Sequence, residues 1–343
     1  MNLFMNKKVK DIIILTVFIV ILAISLHYTE QLLSHKSVHG TVQARDMYVQ
    51  PKNTIDVIFM GSSHIHCDIN TALLWDKYGI AGYDYSAAEQ PLWITYYYLK
   101  EICKYQNPKL VVIDLYSPAR FKEDYQYSWL SESLQGMRLS KNKLDMLFVS
   151  CEKNRLFDYF PNIVSYHSRY AEINKDDISY LRESRSDREA FKGYTPRFEV
   201  NQQIQPELVE KNSGDITVKS EEYLQKIIDY TKENEIDLFL IVSPYITTSS
   251  DELVYNRVHE IADRCGIIFN STNYAYEKMN LDFDTDFADE SHLNYWGSCK
   301  YSDFIGKEIK LHYDIPDRRN MIEWESWDRH FIEIERTKEA AGW

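Results

Sequence analysis

The chain has 343 residues, 44% of them hydrophobic and 27% charged, a composition that excludes the fibrous and disordered classes and suffices for one large α/β domain with an insertion. A formal net charge of -13, from 52 acidic against 39 basic residues with no long basic tract, argues against nucleic acid as a partner. Cys67, Cys103, Cys151, Cys265 and Cys299 lie apart without a CxxC pair, which argues against a disulfide framework and a structural zinc site.

The elements begin with an uncharged apolar run over residues 12–26, preceded by Lys7, Lys8 and Lys10. Val9, His27 and Tyr28 extend it toward the roughly 20 residues of a span. The lysines come first, so the N-terminus is expected in the cytoplasm and the rest outside. No small-x-small cleavage site follows, which favours a retained anchor over a removed signal peptide. Residues 1–30 are thus expected as cytoplasmic tip and transmembrane helix, and the polar residues 31–53 as a stalk or first helix.

Strand and helix then alternate. Strands are expected over 55–60, 80–85 and 110–115, with helices over 69–78 and 91–105, the second opened by Pro91. From 116 to about 219 the alternation stops. Some hundred residues without a strand are too many for a loop, so 117–218 reads as a mostly helical insertion over one end of the sheet. Alternation resumes with a helix over 220–233 capped by Ser220, a strand over 237–242, a helix over 251–265 closed by Gly266, a strand over 267–270 and a last helix over 295–312. The core is therefore 54–116 with 219–312, a parallel sheet of about five strands between helices. The tail, 313–343, carries Trp324, Trp327 and Trp343 and receives no role.

In such a sheet, functional residues gather beyond the carboxyl ends of the strands. Gly61-Ser62-Ser63-His64 follows the first strand, in the manner of a turn that presents a serine at a sheet edge. Asp289-Glu290-Ser291-His292 follows the last, and its D-x-x-H spacing lets the carboxylate reach back to the imidazole and fix its tautomer. Ser63 is the expected nucleophile, His292 the base and Asp289 the orienter; Ser62 is the alternative serine. His64 is expected to line the cleft beside Ser63 as a substrate contact, or else to lie at the surface, and His64, His66, Cys67 and Asp68 have the chemistry of metal ligands. Consecutive residues at a turn point apart, however, and no second ligand cluster has matching spacing, so neither metal nor cofactor is expected.

GSSH after a strand and DESHLNYWG near the end resemble blocks one and five of the SGNH or GDSL hydrolases, over about residues 54–312. The resemblance implies a three-layer flavodoxin-like fold and ester chemistry. With its anchor and insertion the chain further resembles the accessory proteins of lipoteichoic-acid D-alanylation and, more loosely, alginate O-acetylation proteins, which work beside a membrane-bound O-acyltransferase. That implies a membrane-anchored acyltransferase or esterase acting outside the cytoplasmic membrane on acylated cell-envelope polysaccharide or a related polymer. A catalytically weak scaffold for such a polymer or acyltransferase is the alternative.

Two family positions differ. Glu89 stands where block two places a glycine, and the third strand ends in IDLYSP, without the block-three asparagine. An ionised Asp114 can only accept hydrogen bonds, which leaves Gln90, Tyr116 and backbone amides, that of Ser63 among them, as oxyanion donors. Within the insertion, His167 and Arg169 form a pair suited to gripping an anionic or polyhydroxylated substrate, or equally a solvated helix end.

Overall fold

The structure, a computed structural model, describes residues 7–207 and 211–342. Residues 1–6 of the expected tip, 208–210 of the insertion and Trp343 lie outside the described residues.

A single apolar helix, α1 (Lys7–Leu33), opens the chain, and α2 (Thr41–Met47) follows. The first half of the sheet comprises β1 (Val57–Met60), α3 (Ser63–Asp68), α4 (Thr71–Tyr78), β2 (Gly82–Asp84), α5 (Leu92–Ile102) and β3 (Leu110–Asp114). The insertion is helical, as expected. It contains α6 (Tyr116–Arg120), α7 (Leu130–Gln135), α8 (Lys141–Ser150), α9 (Leu156–Tyr159), α10 (Ile163–Tyr166), α11 (Lys175–Arg182) and α12 (Arg185–Ala190). The second half runs α13 (Val218–Glu233), β4 (Asp237–Val242), α14 (Ser249–Cys265), β5 (Ile268–Ser271), α15 (Tyr276–Met279) and α16 (Tyr295–His312), and α17 (Glu325–Ala340) closes the described chain.

The five strands are parallel in the order β2-β1-β3-β4-β5, the doubly wound flavodoxin-like order. Strand side chains alternate between faces. Ile58, Met60, Val111, Ile113, Leu240 and Val242 pack with α5, α13 and α14. Val57, Phe59, Val112, Phe239 and Ile241 pack instead with α3, α4 and α16. The result is three layers with the chain reversing direction between β1 and β3, where open α/β sheets form their crevice.

Four boundaries differ from expectation for local reasons. The stalk is not free: α1 continues to Leu33, and α2 is buried, with Tyr83 Oη donating to Gln43 O at 2.7 Å. The helix expected over 69–78 begins at Thr71, where Asn70 caps it by accepting from Leu73 N at 3.0 Å, and the extended Ile69 separates it from α3, a short helix not among those expected. The cap of α13 is Thr217, not Ser220; its side chain accepts from Ser220 N. Finally, the tail belongs to the domain. Trp327 is fully buried and donates to Gly82 O at 3.1 Å, Trp75 donates to Asp328 at 2.8 Å, and α17 packs on α4. Trp327 and the Lys192 carbonyl, which accepts from Asp84 N, together cover the outer edge of β2.

Candidate active site

At the end of β1 the chain turns sharply at Gly61, whose φ is +148° and where a Cβ would stand 2.9 Å from that of Asp114. Only glycine fits both conditions. Ser62 then stands buried at the N-cap position of α3 without a side-chain capping bond, while Ser63 begins the helix half-exposed. Across the rim, Asn294 caps α16 by accepting from the amides of Trp296 and Gly297, and the loop before it presents Asp289 and His292. Asp68, at the end of α3, joins the two segments by accepting from Leu293 N at 3.0 Å.

The expected triad residues meet. His292 Nε2 lies 2.8 Å from Ser63 Oγ, and Nδ1 lies 2.9 and 3.1 Å from the two Asp289 oxygens. With the proton on Nδ1, the imidazole donates to Asp289 and accepts from the serine. Asp289 Oδ1 also accepts from the amides of Ser291 and His292 at 2.8 and 2.9 Å. Burial alone would raise the pKa of Asp289. His292, the Ser291 amide and Arg197 outweigh it and hold the carboxyl well below the usual carboxylate range.

Arg197 was not among the sequence candidates. Its Nη1 donates to Asp289 Oδ2 and stands 3.1 Å from His292 Nδ1. Two donors cannot bond each other, so both share the carboxylate. The residue arrives on an extended strap after α12. Thr195 N donates to His66 O at 2.7 Å, Tyr295 N to Arg197 O at 2.7 Å, and Asn201 N to Phe287 O at 2.9 Å. That strap stitches α3 to the His292 loop.

His64 is fully buried, its ring centroid 4.0 Å from that of Tyr116 and 5.5 Å from that of His292, with neither ring nitrogen hydrogen-bonded. Burial, then the charge of His292, drives its pKa well down, so it packs as a neutral ring. Asp114 is a structural acceptor. It takes Tyr116 N at 3.0 Å and Ser243 N at 2.8 Å, clasping the ends of β3 and β4, and burial against these two amides leaves its pKa pushed up to about 6.

The oxyanion candidates separate. Gln90 is buried and gives one of its two side-chain N–H bonds to Thr95 Oγ1 at 2.8 Å. Tyr116 spends its amide on Asp114. Glu89 has φ +47°, the left-handed region glycine favours, in a turn fixed by Gln126 Nε2 donating to its carbonyl and by Ala88 N donating to His39 O. The Ser63 amide, at the first position of α3, has no acceptor within the helix. That free amide at the start of a helix suits the donor role.

The insertion pair leaves the site. His167 is exposed, with Nδ1 2.8 Å from Val164 O, and Arg169 donates to Leu33 O and Ser34 O at 2.7 and 2.6 Å. Unmet carbonyls at the end of α1 explain why the guanidinium turns there. His39, also missed, brings Nδ1 to 3.3 Å from His66 Nε2, and His66 Nδ1 lies 3.0 Å from Ser86 Oγ. No group of three potential metal ligands occurs among the described residues.

No protein-family model matches the chain, and no curated protein matches its sequence. Among solved structures, distant likenesses occur. A "putative acylhydrolase" from Bacteroides fragilis is 14% identical over 78% of this chain and 94% of its own, at a TM-score of 0.37. A gut microbial diltiazem-metabolizing enzyme is also 14% identical over 78% of this chain but 49% of its own, at a TM-score of 0.28. Likenesses this distant carry no argument about activity.

Proposed function

We propose that the chain is a membrane-anchored, SGNH-type serine enzyme that moves acyl groups between oxygen atoms, on esters of a cell-envelope polysaccharide or related polymer outside the cytoplasmic membrane. One observation carries this reading: an unbroken relay from Asp289 through His292 to Ser63 at the carboxyl rim of a parallel sheet. The anchor reading draws on α1, the one described helix long and apolar enough to cross a membrane.

In the first half-reaction Ser63 Oγ gives its proton to His292 Nε2 and attacks the acyl carbonyl. Asp289 and the Nδ1–H bond hold the imidazolium in place. The amides of Ser63, at the start of α3, and of Glu89 receive the developing oxyanion. The carbon–oxygen bond to the leaving alcohol then breaks, that oxygen takes the proton from Nε2, and the acyl group stays on Ser63. In the second half, an acceptor hydroxyl or water loses its proton to His292 Nε2 and attacks the acyl-serine; the bond to Ser63 Oγ breaks, and Oγ takes that proton back from Nε2.

The test is turnover of an activated acetyl ester with and without added oligosaccharide. Acetyl appearing on the oligosaccharide supports transfer, and free acetate alone supports hydrolysis. Wild-type turnover no faster than that of Ser63→Ala contradicts the enzyme reading.

A further inference from the structure

The base of α1 is held to the domain by two cationic side chains. Arg169 bonds the carbonyls of Leu33 and Ser34, while Lys36 Nζ bonds those of Leu32 and Ser34 at 2.6 and 2.7 Å. Both cations meet Asp177, at 2.8 Å from Lys36 and 3.2 Å from Arg169, and its side chain is only 3% exposed. A helix end satisfied in this way and packed against α10, α11 and residues 167–171 has a set direction relative to the domain.

The elements around that base expose apolar side chains. Phe157 is 79% exposed, Tyr170 74%, and Val164, Ile173 and Ile178 are also open to solvent. Within 153–182 the charges nearly cancel, five basic against four acidic residues. An apolar, near-neutral surface of this kind, carrying Phe and Tyr and continuous with a spanning helix, suits the headgroup boundary of the bilayer.

The path to the site is short. From Leu26 the chain rises as helix to Leu33 and then reaches His39 in six residues, a span of at most about 30 Å. His39 already touches the rim through His66 and Ala88.

We propose that the face built from α9, α10, residues 167–171 and α11 rests on the bilayer that α1 crosses, and that this seating turns the Ser63 rim to the membrane surface, where it meets an acyl substrate held in the membrane. The proposal rests on the anchor and acyl-transfer readings, so its test separates the three.

The full chain is placed in phosphatidylcholine nanodiscs with Cys265→Ser removing the exposed thiol. Spin labels at Phe157→Cys or Tyr170→Cys should collide with oxygen in preference to a water-soluble nickel chelate. A label at Leu311→Cys, exposed at the far end of α16, should show the reverse. Ile19→Cys reports whether α1 is inserted. Labels at 157 and 170 as open to nickel as that at 311, while 19 is lipid-exposed, overturn the proposal; so does shielding from both reagents, which marks a protein partner. The second arm compares p-nitrophenyl acetate, in water, with p-nitrophenyl laurate, in the bilayer. Phe157→Asp with Ile178→Asp should leave the first unchanged and slow the second about tenfold or more. Equal effects on both esters contradict membrane presentation, whereas a wild type inert to both contradicts the serine-enzyme reading instead.

Discussion

Arg197 decides how the proposed relay is held, because it and His292 compete for one carboxylate. As a positioning residue it should matter to turnover more than to binding. Arg197→Ala is expected to lower kcat about tenfold to a hundredfold with little change in KM, and Arg197→Lys to restore part of it, in steady-state assays. Asp289→Asn removes the acceptor of Nδ1–H and should cost far more, on the order of ten-thousandfold in kcat. The same substitution has a pH signature. The folded pKa of Asp289 is depressed, so its stabilisation is present above the unfolded value near ~3.9 and fades as pH falls below it. Urea titrations between about pH 3 and pH 6 should therefore find a flatter acid limb in the variant. Ser63, Asp289 and His292 were legible because each sits inside a local pattern, a glycine-serine turn after a strand and a carboxylate three residues before a histidine. Arg197 was not, since its partner lies 92 residues away and is chosen by the path of the strap. Arg169 stood out for its neighbour His167, yet nothing local told that the end of α1 would claim it.

The helices that flank the sheet place the two halves of the site by their first turns. Asn294 fixes the start of α16 and also donates to the carbonyls of Glu199 and Thr285, joining the His292 loop to the strap. Asn294→Ala should cost about 1 kcal/mol or more in denaturant unfolding and lower kcat as the loop loosens. Thr217→Ala should likewise cost about 1 kcal/mol, and Ser220→Ala clearly less, since Thr217 accepts the capping bond. All five strands could be anticipated from short apolar runs bounded by turn residues. Helix starts were less legible because Ser, Thr and Asn crowd these junctions, and spacing alone does not tell which side chain folds back on the amides.

Across the whole molecule, segments remote in sequence complete the domain. The tail, which carried no readable role, seals the edge of β2 through Trp327; Trp327→Ala should lose about 3–5 kcal/mol in urea unfolding. The sheet order and the layering followed from strand–helix alternation, while the packing of α2, the strap and α17 depended on contacts that no periodicity encodes. These additions surround a rim on which one serine faces one histidine, and the central claim is that this serine is the nucleophile. Intact-protein and peptide mass spectrometry after fluorophosphonate treatment tests it most directly. One adduct is expected, on Ser63, lost in Ser63→Ala, strongly slowed in His292→Ala and kept in Ser62→Ala; an unmodified wild type, or an adduct that survives Ser63→Ala, would overturn the assignment.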